Sequence, residues 1–97
     1  MSHEIDYLSD STEQTSTRFV TFVTASLHRF DLAIITTSRF YGKKMVIDMQ
    51  RSISAVIGPD DLEEEGYLEH AFRLDEEQAR DLHQFLSEVI GPISFPE

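Results

Sequence analysis

Four β-patterned runs joined by very short connectors constrain this chain more than any other feature. RFVTFVTAS from Arg18, FDLAIITT at 30–37, KKMVIDM at 43–49 and ISAVI at 53–57 are rich in β-branched and aromatic residues. Phe19, Thr21 and Val23 oppose Val20, Phe22 and Thr24 in the first run. Both of its faces are therefore apolar, and a central place in a sheet is expected. In the second run Phe30, Leu32 and Ile34 oppose Asp31, Ala33 and Ile35; in the third Met45, Ile47 and Met49 oppose Lys44, Val46 and Asp48. A parallel crossover takes about a dozen residues or more, and these connectors are shorter. Consecutive antiparallel strands, a β-meander, are the consequence. Gly42, in SRFYGKK between the second and third strands, is placed to take the positive φ of a hairpin turn.

The chain beyond the fourth strand must cover this sheet. In GPDDLEEEGYLEH, residues 58–70, Pro59 presets the start of a helical turn and Asp60 and Asp61 suit its positive end, with Gly66 as a left-handed stop. The expected helical turn spans 59–65. YLEHAFRL alternates Leu68, His70, Phe72 and Leu74 against Tyr67, Glu69, Ala71 and Arg73, which predicts a fifth strand. From Asp75 the period changes: Ala79, Leu82, Phe85, Leu86, Val89 and Ile90 make one helical stripe. Asp75 and Gln78 form a capping-box variant, and Gly91 and Pro92 stop the helix. One stripe covers one sheet face. The expected fold is α+β, an antiparallel meander of four or five strands with one C-terminal amphipathic helix packed on a face.

With 97 residues, the chain supports a single core. Residues 1–17 read as a polar N-terminal arm, in which Tyr7 and Leu8 either dock as a short edge strand or stay free; 18–92 form the domain and 93–97 a tail. There is no cysteine, which excludes disulfides, thiolate metal sites and cysteine nucleophiles. No signal sequence or membrane-spanning run is evident, so a cytoplasmic protein without membrane attachment is expected. The formal net charge of −10 opposes indiscriminate binding to polyanions. That charge is unevenly placed: residues 18–51 are net basic, whereas both ends are acidic.

Motifs for chemistry are sparse. DDLEEEG lacks the ligand order of an EF-hand, and no HExxH occurs. His70 and His83 with a carboxylate remain a weak non-local metal alternative, so no metal or cofactor is assigned. The run Glu63, Glu64, Glu65 and Glu69 surrounds a turn open to water, a poor setting for catalytic carboxylates, and no catalytic residue is assigned. The four glycines permit neither G-x-G-x-x-G nor a Walker A loop. More suggestive is SRFYGKK, where Arg39, Lys43 and Lys44 surround Phe40 and Tyr41 in a pattern that suits phosphates and bases. The plainer reading is preferred: lysines protecting an edge and aromatics completing the core. In a third reading the basic loop meets the acidic 60–65 segment of its own or a second chain, and an open edge makes a homodimer plausible.

TRFVTF, FDLAIITTSRFYGKK, DMQ and IGPDDLEEEGYLEHAF resemble a family of small cytosolic proteins from Gram-positive bacteria catalogued as a domain of unknown function. The resemblance implies no activity, cofactor or functional residue. The function expected first is a non-catalytic protein-interaction or regulatory module with an unknown protein partner. Its candidate contact residues are Arg39, Tyr41, Lys43, Lys44, Asp60, Asp61, Glu64 and Glu65. Single-stranded nucleic acid or phosphate-ligand binding through 39–44 is the alternative, and a small enzyme of unrecognised type is the second.

Overall fold

The computed structural model describes residues 4–90. Its four strands are β1 (Ser16–Val23), β2 (Arg29–Thr36), β3 (Lys44–Asp48) and β4 (Ile53–Ile57). They pair antiparallel in the order β1-β2-β3-β4, the expected meander. A 3-10 turn at Ser38–Phe40 lies between β2 and β3. The helices α1 (Pro59–Leu62), α2 (Tyr67–Phe72) and α3 (Glu76–Ile90) come after β4.

Register identifies the two sheet faces. Phe22 lies opposite Phe30, Val20 opposite Leu32, Ile34 opposite Val46, and Val46 opposite Ala55. These residues face α3, whose Ala79, Leu82, Leu86 and Ile90 are buried with Leu62, Leu68, Phe72 and Leu74. Phe22 stacks on Phe30 and Phe85 at centroid distances of 5.4 and 4.4 Å, joining two strands to the helix. The α3 start is the predicted capping box: Gln78 N–H donates to Asp75 Oδ1 at 2.8 Å, and Asp75 N–H to Gln78 Oε1 at 3.1 Å. The expected stop at Gly91 and Pro92 and the tail 93–97 lie outside the described residues.

Two expectations are corrected. First, β1 is an edge strand. Val20 and Phe22 pack toward α3, while Phe19 and Val23 project from the opposite face with 71% and 60% exposure. Apolar side chains on both faces do not, therefore, place it centrally.

Second, the expected fifth strand is helix α2. Leu68 and Phe72 satisfy period two, but they are also one helical turn apart and share the buried face, whereas His70 between them is exposed. Left-handed Gly66 and Arg73 bound the helix at φ 81° and 57°. Gly66 thus has the left-handed conformation expected of it, but it opens α2. Of the two alternatives for the N-terminal arm, the edge strand is not formed: Tyr7 and Leu8 are exposed, and the arm touches the β2–β3 loop through Ser11 and Glu13.

The inward direction of β3 is also notable. Its more apolar side, Met45 and Ile47, lies on the uncovered face, whereas Asp48 is on the covered one with 0% exposure. The tight turn after it makes this possible. Asp48 Oδ1 accepts the backbone N–H groups of Gln50 and Arg51 at 3.1 and 3.2 Å, while Oδ2 accepts Arg51 Nη1 at 2.9 Å. Arg51 in turn lies over the Phe30 ring at 5.7 Å. A carboxylate so satisfied closes the β3–β4 hairpin without leaving an unpaired charge in the core. Asp48→Ala should lower unfolding free energy by about 3 kcal/mol, because it strands two turn amides and the guanidinium. Urea unfolding followed by circular dichroism measures this; a loss within error of zero would contradict the role given to Asp48.

Candidate functional site

The basic loop is arranged by the turn that ends β2. Thr37 Oγ1 accepts Arg39 N–H at 3.2 Å and caps the 3-10 turn, and the same hydroxyl donates to Glu13. Arg39 Nη1 donates to Ser11 Oγ at 3.0 Å, tying the loop to the N-terminal arm. Tyr41 is left-handed at φ 52° and 96% exposed, and Gly42 is next at φ 89°. Tyr41 therefore completes no core. Lys44 pairs with Thr36 on β2 and with Ile57 on β4, so it opens an interior strand and guards no edge. The edge-protecting part of the plainer reading is thereby corrected, and so is the core part for Tyr41, while Phe40 is half-buried.

Lys43 does reach the acidic segment. Its Nζ lies 3.2 Å from Asp61 Oδ2, and that oxygen also accepts Gly58 N–H at 2.8 Å. The hydrogen bond and charge of Asp61 hold the Lys43 amine above its ordinary value of 10.5. The lysine stem crosses directly over Gly58, where an added Cβ would meet Lys43 Cγ at 2.8 Å. Gly58 is thus required by close approach. Asp60, Glu64 and Glu65 stay exposed, and Glu64 and Glu65 rim a shallow depression with Glu69, Glu76, Arg80 and His83. Among the described residues no group of three or more His, Asp or Glu side chains is set to hold a metal. His83 Nε2–H donates to the Leu62 carbonyl at 2.9 Å, joining α3 to α1.

The densest polar constellation involves residues that no motif singles out. Asp81 Oδ2 on α3 accepts the Thr24 hydroxyl at 2.7 Å and His28 Nδ1–H at 2.8 Å, while Thr24 Oγ1 accepts His28 N–H at 3.1 Å. Glu77 lies 3.5 Å from His28 Nε2. Although Thr, His and Asp meet, the arrangement does not suit nucleophilic catalysis. The hydroxyl is spent on the carboxylate, and the free side of the imidazole faces Glu77, so no base addresses the oxygen. The group is a clasp that fastens the β1–β2 hairpin to α3.

That hairpin carries an unusual tip. Leu27 N–H donates to Thr24 O at 2.8 Å and Thr24 N–H to His28 O at 2.9 Å, so Ala25, Ser26 and Leu27 form a three-residue loop. Its last position is left-handed and usually glycine. Here it is Leu27 at φ 67°, with 82% exposure. Beside the clasp, Phe22, Thr24, Ala25, Asp81, Gln84, Phe85 and Glu88, from the first hairpin and α3, line a groove of about 280 Å³.

The bonds from Thr24 and then His28 hold the Asp81 carboxyl below its ordinary value of 3.8. A carboxyl depressed by folding adds stability above its unfolded pKa and loses it as pH falls through the folded value. Asp81→Asn should therefore show a smaller fall in melting temperature than the wild type when pH is lowered below 3.8. Melting curves in acid buffers check this, and parallel falls for both proteins would contradict the clasp.

A comparison with curated proteins finds no match. The correspondence that is found reaches from the arm through almost all of α3 and includes the basic loop, the acidic turn, the clasp and the hairpin tip: residues 8–88 match the SAV0927-like family, and the chain belongs to that family.

Proposed function

We propose that this protein is a non-catalytic protein-interaction or regulatory module in the cytosol of a Gram-positive bacterium. The single observation that supports binding most strongly is Leu27. A left-handed leucine costs about 1–2 kcal/mol relative to a residue suited to that backbone, and this side chain gains no burial in return. Phe19 and Val23 are exposed on the strand leading to the same tip. An apolar group kept in water at a conformational cost is expected where a partner covers it.

The polar groups support the same reading. The clasp and the Lys43–Asp61 pair use their atoms in holding elements together. Among the described residues every buried side-chain nitrogen and oxygen has a hydrogen-bond partner. Among the described residues no helix is long and apolar enough to cross a membrane. Arg39, Tyr41, Lys44, Asp60, Glu64 and Glu65 remain secondary contact candidates, while Lys43 and Asp61 serve each other. Nucleic-acid binding through 39–44 has the exposed Tyr41 in its favour, and it has against it an Arg39 engaged by Ser11 and a Lys43 neutralised by Asp61.

Leu27→Asn separates the roles, because Asn accepts the left-handed region. The variant should be more stable by about 1 kcal/mol and should bind its partner less well. Affinity purification of tagged wild type and variant, with nuclease treatment, reads the second effect. The expected result is a protein held by the wild type after nuclease and reduced with Leu27→Asn. Recovery of nucleic acid alone, removed by nuclease, would favour the alternative and overturn the proposal.

A further inference from the structure

Among the described residues no strand pairs with the outer edge of β1, which is an open half of a ladder. Thr24 N–H points to β2, where it meets His28 O. In an antiparallel ladder these directions alternate, so the even residues of β1 bond to β2. The backbone groups of Thr17, Phe19, Thr21 and Val23 consequently face outward. This edge is eight residues long, contains neither proline nor lysine, and has Arg18 as its only charge. Natural edges are usually protected by such residues or by a covering element. The other edge is attended: α2 packs beside β4, and the Tyr67 hydroxyl reaches Val56 O at 3.5 Å.

We infer that β1 pairs antiparallel with β1 of a second copy of this chain about a two-fold axis through Thr21, placing Arg18 of each copy at the Asp81 and Glu88 groove of the other. This partner deepens the protein-binding reading and rests on it. The sequence STRFVTFV is self-complementary in that register. Thr21 meets its own equivalent, and Phe19 meets Val23 on the open face, so the exposed apolar pair of each chain is covered by that of the other. Val20 meets Phe22 on the covered face. The outward groups of Phe19, Thr21 and Val23 then form about six backbone hydrogen bonds across the axis.

Charge favours the same occupant. Arg18 falls opposite Thr24, whose hydroxyl is bonded to Asp81, in the groove that Glu88 also lines. Arg18 already lies over the Phe85 ring of its own chain at 5.7 Å, and Phe85 lines that groove. Two chains of net charge −10 repel each other as wholes. An edge strand without an acidic residue, bearing one arginine for an acidic groove, is where that repulsion is least. The interface is a closed, isologous contact, so it ends at a dimer.

Sedimentation of the full chain from low micromolar to near-millimolar concentration should show a monomer–dimer equilibrium. Arg18→Glu should weaken dimerisation about tenfold or more, since it sets like charges together, and adding Glu88→Arg should restore it. Thr21→Pro should abolish the dimer while leaving β1–β2 pairing in place, because its N–H is not used by β2. Circular dichroism confirms that each variant is folded, and the charge exchange retains the test if the proline variant is not. A monomer at every concentration, a dimer unaffected by Arg18→Glu, or one that survives Thr21→Pro in a folded chain would overturn the inference. A monomer that still captures a nuclease-resistant partner through Leu27 overturns the second copy alone, whereas loss of both overturns the protein-binding reading as well.

Discussion

The helices α1, α2 and α3 pack against one face of the sheet, and the rest of the architecture depends on that one-sided burial. Phe30, Leu32, Val46 and Ile57 supply the sheet side of the core, and Leu62, Leu68, Phe72, Leu82 and Leu86 supply the helix side. The apolar stripe of α3 buries Ala79, Leu82, Leu86 and Ile90 against that face. Among the described residues no helix covers the opposite face, with Phe19, Ile35, Met45, Ile47 and Val56, and no strand lies outside β1. Burial of Asp48 belongs to the same constraint. A carboxylate that satisfies two turn amides and Arg51 can stand on the covered face, which sends Met45 and Ile47 to the other.

Several polar groups act as fasteners at the margins of this core. Asp81 holds the first hairpin to α3, Asp61 holds Lys43 across Gly58, and His83 ties α3 to α1. Each closes a junction between elements that hydrophobic contact alone would leave free to slide. The remaining exposed carboxylates give the chain its negative field, which discourages indiscriminate contacts and leaves the acid-free β1 edge as the easiest approach.

Local rules made much of the fold legible. The strands from Arg29 to Ile57, the α3 capping box and the left-handed Gly42 and Gly66 are all dictated by neighbours within a few residues. Failures occurred where two periods coincide or where the partner is distant. Leu68 and Phe72 satisfy both strand and helix spacing, and only the capping conformations of Gly66 and Arg73 decide between them. Phe19 and Val23 resemble core residues because alternation reveals faces, not which face is covered. Of the expected contact residues, Lys43 and Asp61 meet, while Arg39 turns to the arm. The clasp could not be read at all, since His28 and Asp81 stand 53 positions apart with no shared motif.

Binding through the open edge and tip of the first hairpin makes a residue-specific demand on backbone amides. Hydrogen exchange by NMR, at low and high protein concentration, tests it most directly. The amides of Val20 and Phe22, bonded to β2, should be protected at both concentrations, while those of Phe19, Thr21 and Val23 should exchange fast when dilute and slow markedly when concentrated. Rapid exchange of Phe19, Thr21 and Val23 at every concentration would contradict the account.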